Sequence, residues 1–125
     1  MKILVVDDIK GWRDYHISIL SDLFSNAKFY QAESARSAYD SLFENNEVPF
    51  DIILTDMQME EDFAPKYAGE WLIEQIKTFK SYNKTRIVTI SAAYNLEIIA
   101  NNLGVDFIRK STARNFPESY KFLKE

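Results

Sequence analysis

Cysteine is absent from the 125 residues, so no disulfide framework is available and a reducing cytoplasm is the expected home. No apolar run approaches the ~20 residues of a membrane span. The first residues offer one lysine, a short apolar run and then two acids, which is too short and too acidic for a signal peptide. Fifteen basic residues face nineteen acidic ones, a formal charge of -4 with no basic stripe, so direct nucleic-acid binding is not expected. A glycine-rich phosphate loop of the GxxxxGK type is missing, and a nucleotide-hydrolysing reading loses its signature with it. Repeats, low-complexity tracts and linkers are missing too. Histidine occurs once, at His16, one residue after Tyr15 and off the apolar stripe of its helix; it is expected to be exposed and inert.

What remains is an ordinary globular composition, 46% apolar and 27% charged, of a length that suits one domain over residues 1–125. Its elements alternate. ILVV (3–6) is a continuous apolar run, as expected of a parallel strand covered on both faces. Trp12, Tyr15, Ile19, Leu20 and Leu23 then form a helical stripe. AKFYQA (27–32) reads as a second strand, and Ala35, Ala38, Tyr39, Leu42 and Phe43 as a second helical face capped by Ser34, with Pro49 closing the loop after it.

FDIILTD (50–56) is a third strand; Leu72, Ile76 and Phe79 mark a third helix opening near Ala68 to Glu70. RIVTISA (86–92) is a fourth strand, followed by a helix on Leu96, Ile99 and Leu103 that Gly104 stops. VDFIRK (105–110) is a fifth strand, and NFPESYKFLKE a short final helix with Pro117 in its first turn. Strands alternating with helices imply an α/β domain with a parallel sheet.

Ligands in such sheets bind beyond the carboxyl ends of the strands. Asp7, Asp8, Asp56, Ser91 and Lys110 all stand at such ends. Two unit charges ~4 Å apart repel by about 4 kcal/mol at an effective dielectric of ~20, so crowded carboxylates call for a positive partner. A hard divalent cation such as Mg²⁺, which prefers oxygen ligands, answers that need, and Lys110 adds a second positive charge. A metal, an ammonium, a hydroxyl from Ser91 and a carboxylate nucleophile suit phosphoryl transfer to a carboxylate. The plainer reading of Asp7 and Asp8 is a helix-capping pair. Thr89 rivals Ser91, facing the same way two residues earlier.

Asp7-Asp8 after strand one, Asp56 after strand three, Ser91-Ala92 after strand four and Lys110 after strand five together resemble a receiver domain of a bacterial two-component response regulator. The resemblance covers essentially the whole chain. It implies a doubly wound, flavodoxin-like (βα)5 fold with strand order 2-1-3-4-5. It further implies that Asp56 accepts a phosphoryl group from a histidine kinase or histidine phosphotransfer protein. By the same resemblance Asp8 would bind Mg²⁺ directly, Asp7 would act through water, and Gln58 would give a backbone carbonyl. Ser91 and Lys110 would contact the phosphoryl group, and Phe107 is similar to the family's rotating aromatic switch but has no hydroxyl. The implied output is a changed surface on helix four, strand five and helix five, with Tyr94 and Ile98 nearby. A downstream effector or output domain, or a second copy of the chain, would read it.

The chain departs from the family pattern in places. Ser111 follows Lys110 where a proline is usual, and a cis bond there would cost about 3 kcal/mol, so a trans bond is expected. Met59 is followed by Glu60, not proline, and the segment to Gly69 is about five residues longer than usual, carrying Glu60, Glu61 and Asp62. The alternative function is therefore a phosphorylation-independent binding module on the same fold. An aspartyl-phosphate phosphatase similar to the haloacid dehalogenase family would need a second Asp where Gln58 stands, so an enzyme in its own right is not expected.

Overall fold

The computed structural model describes residues 1–59 and 66–125; the acidic stretch Glu60, Glu61 and Asp62 lies outside the described residues. Strand β1 (Lys2–Val6) is the hub. Its residues 3–6 are fully buried because helices cover both faces of the sheet it belongs to. It pairs in parallel with β2 (Lys28–Ala32) on one side and β3 (Ile52–Thr55) on the other. β4 (Arg86–Ser91) and β5 (Asp106–Arg109) extend the sheet, giving the expected order β2-β1-β3-β4-β5. The reversal of winding at β1 and β3 places the carboxyl ends of those two strands side by side, which is where such sheets bind ligands.

Successive strand residues point to opposite faces, so each apolar run feeds two cores. Leu4, Val6 and Ile53 pack beneath α2 (Ala35–Glu44), α3 (Ala68–Ile76) and α4 (Leu96–Leu103). Ile3, Val5, Ile52 and Leu54 pack on the other face beneath α1 (Lys10–Leu23), α5 (Lys110–Asn115) and a C-terminal 3-10 helix (Pro117–Lys124). Among the described residues no helix is long and apolar enough to cross a membrane.

Helix boundaries follow local chemistry. Ser34 caps α2: its hydroxyl accepts the Ser37 N–H at 3.0 Å, as expected. Gly104 ends α4 in the left-handed region, φ 71°, which costs a residue without a Cβ nothing. Two expectations need correction. Helix α3 stops at Ile76, so Phe79 precedes a single 3-10 turn (Lys80–Tyr82), although it still packs on the α2–α3 core.

The final segment also differs. The fifth strand ends at Arg109, and residues 110–115 form a short α-helix, with the 3-10 helix after it in place of one helix over 115–125. A proline at 111 would disfavour the helical region for the residue before it; serine imposes no such limit, so helical geometry begins at Lys110 itself. Pro117 then keeps Phe116 out of the helical region, φ -134° and ψ 81°, and separates the two helices.

Candidate functional site

The parallel register pairs Val6 with Thr55, so the residues that follow them, Asp7 and Asp56, emerge from adjacent strands. The Asp56 N–H donates to Val6 O at 2.9 Å and the Asp7 N–H to Ala32 O at 3.2 Å, so both backbones continue the sheet ladder into the site. Both side chains are buried; Asp8 is exposed. One carboxylate oxygen from each of Asp7, Asp8 and Asp56 lies within 4.8 Å of the others. Such hard oxygen donors suit Mg²⁺.

Asp56 is held at both oxygens. Its Oδ1 accepts the backbone N–H groups of Met57 at 2.7 Å and Gln58 at 3.3 Å, and its Oδ2 accepts Lys110 Nζ at 2.9 Å. The same ammonium lies 3.2 Å from Asp7 Oδ2. Lys110 opens α5 directly after β5, so the strand end aims it across the sheet edge. The face of Trp12, in the first turn of α1, lies 4.9 Å from Nζ and backs the ammonium, while the same ring stands 5.4 Å from the Arg114 guanidinium. Burial alone would pull the Lys110 ammonium down, but its bond to Asp56 and the charges of Asp56 and Asp7 outweigh that and leave it above its ordinary value.

Asp7 carries the electrostatic cost of the cluster. Its Oδ1 accepts the Ile9 N–H at 2.9 Å, but the fully buried Oδ2 has no hydrogen-bond partner, so its contact with Lys110 is an ion pair and not an aligned bond. Burial pushes the Asp7 carboxyl up to about 6, with the charge of Asp56 adding to the rise and the Ile9 N–H and Lys110 opposing it. An orphaned, buried carboxylate oxygen beside two other acids is what a cation would complete, so these residues fit Mg²⁺.

The capping alternative fares less well. The residue before α1 is Ile9, with no side-chain cap, and Asp7 binds only that residue's own N–H. In the metal-free protein, Asp7→Asn keeps the Oδ1 acceptor and removes the buried charge. The folded state holds the Asp7 proton more tightly than the unfolded chain, so this contribution to stability is complete below pH 3.8 and is lost as pH rises through about 6. Urea unfolding at pH 8 should therefore find Asp7→Asn more stable than wild type by on the order of 2 kcal/mol, the size of a rise of about two pKa units. The difference should close as the pH approaches 4.

The remaining expected residues fall on the same edge with differing engagement. Ser91 ends β4, fully buried, and its Oγ accepts the Ala93 N–H at 3.2 Å, which leaves its own proton free to donate. The rival Thr89 is buried further down the strand opposite Phe107, its hydroxyl without a partner. Gln58 is exposed and engages Asp56 through its N–H. Phe107 is half-buried against the α2–α4 core.

His16 contradicts the expectation of an exposed, inert residue. It is 1% exposed, its Nδ1 lies 2.7 Å from Tyr120 Oη, and its Nε2 lies 4.0 Å from Asp7 Oδ2. The signal was its spacing: Trp12, His16 and Leu20 stand four apart, one line down the buried side of α1. Burial pushes the imidazole down to about 3, with the Lys110 charge adding to the effect.

No protein-family model matches the chain, and no curated protein sequence does. Solved structures do. The chain is similar to the signal receiver domain of a DNA-binding response regulator (merR) from Colwellia psychrerythraea 34H, with 21% identity, TM-score 0.77, and 99% of this chain and 95% of that one covered. It is similar to the phosphorylated cyanobacterial phytochrome response regulator RcpA at 20% identity and TM-score 0.79, covering 99% and 91% of the two chains. A response regulator receiver domain protein from Clostridium thermocellum matches at 24% identity and TM-score 0.69, covering 87% and 81%. The fold is that of a response-regulator receiver domain. On this receiver fold, the acid cluster and Lys110 occupy the sheet edge where the winding reverses.

Proposed function

We propose that the protein is a cytoplasmic phosphoacceptor of two-component signalling, phosphorylated at Asp56. The observation that carries the reading is the join between Lys110 Nζ and Asp56 Oδ2 at 2.9 Å, with Asp7 and Asp8 in ligand reach of the same spot. An isolated structural ion pair has no use for two further carboxylates beside it. The donor is a phosphohistidine on a histidine kinase or phosphotransfer protein. A carboxylate oxygen of Asp56 attacks phosphorus, the P–N bond breaks as the O–P bond forms, and the imidazole leaves with its electron pair.

The chain's own residues supply orientation and charge. The Met57 and Gln58 N–H groups fix the Asp56 carboxylate. Lys110 exchanges part of its hold on Asp56 for the incoming phosphoryl oxygens, and Ser91 donates its hydroxyl proton to one of them. Asp8, Asp7, Asp56 and the Gln58 carbonyl would hold Mg²⁺, which when bound neutralises charge on the transferring group. An open hollow of about 320 Å³ lined by Ile9, Gly11, Trp12, Tyr15 and Arg114 lies beside Lys110 and offers the donor protein an apolar seat. The added charge at Asp56 then shifts the population of two surface states on the α4–β5–α5 side, which an effector reads. Tyr94 and Ile98 are exposed there, at 87% and 65%.

The test is intact mass after incubation with Mg²⁺ and acetyl phosphate. Wild type should gain one phosphoryl group and Asp56→Asn none. A normally labelled Asn variant would remove Asp56 from the role.

The second reading, a binding module independent of phosphate, draws on Lys110 opening a helix where the family has a Lys–Pro turn. Failure to bind Mg²⁺ at millimolar concentration would favour it.

A further inference from the structure

His16 is buried beside the site without a role in it so far. His16 sits behind Asp7, under Trp12 and beside Tyr120, with ring centroids 5.5 and 5.9 Å away. Neither His16 nor Tyr120 reaches solvent in any useful degree, at 1% and 0% exposure, so the pair cannot be serving as a surface group. The two ring nitrogens have different neighbours. Nδ1 meets the Tyr120 hydroxyl at 2.7 Å, and Nε2 faces the orphaned Asp7 Oδ2 at 4.0 Å.

A neutral imidazole carries one proton, and the hydrogen bond at one nitrogen decides what the other presents. Placed on Nδ1, that proton would leave the Nε2 lone pair aimed at a buried carboxylate, two negative features in a medium that screens poorly. Placed on Nε2, it points an N–H dipole at Asp7 while Nδ1 accepts the Tyr120 O–H. Every group in the line then has its partner's complement.

We propose that His16 is a positioning residue for Asp7, locked by Tyr120 in the Nε2–H form, and that the pair ties the acid site to the seating of the C-terminal 3-10 helix. Tyr120 belongs to that helix, and its ring packs in the same core as Leu20 and Val5. The N–H dipole of His16 then favours the charge on the inner oxygen of Asp7, 4.0 Å away. The functional consequence rests on the Mg²⁺ reading of the site; the tautomer and the Asp7 contact do not. Partners one step behind a metal ligand commonly change metal affinity by tenfold or more when removed. Binding linkage is reciprocal, so a metal bound at Asp7 should in turn hold the 3-10 helix more firmly.

The chain has a single histidine, so its ring nitrogens are unambiguous in a long-range nitrogen–proton correlation spectrum. Metal-free wild type should show a protonated Nε2 and a bare Nδ1. Tyr120→Phe should give a mixture of forms, and Asp7→Asn should move the Nε2 resonance. Mg²⁺ titration should then show Tyr120→Phe weakened about tenfold. Tyr82→Phe removes a buried hydroxyl that donates to Leu42 O at 2.8 Å in the core on the other face of the sheet, and it should leave Mg²⁺ affinity unchanged.

A proton on Nδ1 overturns the proposal, as does an Nε2 resonance indifferent to Asp7→Asn. Equal weakening by Tyr82→Phe and Tyr120→Phe would show general loss of a buried hydroxyl and overturns it too. Wild type that binds no Mg²⁺ would instead defeat the phosphoacceptor reading, with the metal-free spectra still deciding the tautomer and the Asp7 contact.

Discussion

Gly69→Ala should lower unfolding stability by about 3 kcal/mol, the upper end of overpacking costs, and cut phosphoryl uptake at Asp56 with it. A Cβ on Gly69 would stand 2.0 Å from the Asp56 carbonyl oxygen, 2.7 Å from Met57 Cα and 2.9 Å from the Asp56 carbonyl carbon. All of these are backbone atoms, so no side chain can rotate away. The close approach exists because the first turn of α3 is pinned to the end of β3: the Gly69 N–H donates to Met57 O at 2.9 Å. Relief requires either α3 to lift off its core or the Asp56–Met57 backbone to move, and the second displaces the carboxylate from Lys110. Chemical unfolding and acetyl-phosphate labelling would measure the two effects. Gly11→Ala is the control: nothing lies within 4 Å of its added Cβ, and a helical alanine in place of glycine should stabilise by up to ~1 kcal/mol. Equal behaviour of the two variants would sink the argument.

Lys110→Met should destabilise the metal-free protein by about 3 kcal/mol at pH 8, because breaking a buried ion pair strands its partners' charge. Here two carboxylates are stranded, Asp56 at 2.9 Å and Asp7 at 3.2 Å from the lost ammonium. Asp7 already holds its proton more tightly folded than unfolded, and losing Lys110 strengthens that bias. The folded variant therefore binds more protons than its unfolded chain from about pH 4 upward, and its stability falls as pH rises through that window. Acid should narrow the gap to wild type, and millimolar Mg²⁺ should narrow it at pH 8. A deficit that neither proton nor metal repairs would mean that lost packing, not stranded charge, is the cause.

The strands were legible because parallel strands buried on both faces are written as unbroken apolar runs, and ILVV and IILT state this directly. The strand order was not in that pattern; it came from the resemblance carried by Asp7, Asp8, Asp56, Ser91 and Lys110, and the sheet has that order. The acids and the lysine could be placed together because strand ends share one edge of a parallel sheet.

His16 was misplaced for an instructive reason. A search for apolar residues skips a histidine, although its four-residue spacing from Trp12 and Leu20 puts it on their line. Tyr120 as its partner could not be seen, since 104 residues separate them and only the packed core joins them. Gly69 was equally silent, because a close backbone approach leaves no trace in the residues around it. The final segment was misread where one residue changes the rules: serine after Lys110 lets the lysine itself be helical, a conformation that a following proline disfavours.

The indole behind Lys110 has an optical consequence. Indole emission responds to the charges near its ring, and the chain holds two indoles. Trp12 lies against the ammonium that any ligand of Asp56 must disturb. Trp71 sits on the opposite side of the sheet, packed in the α2–α3 core beside Arg36. The molecule thus carries a fluorescent reporter at its reactive edge and a reference on its far face, with no label added.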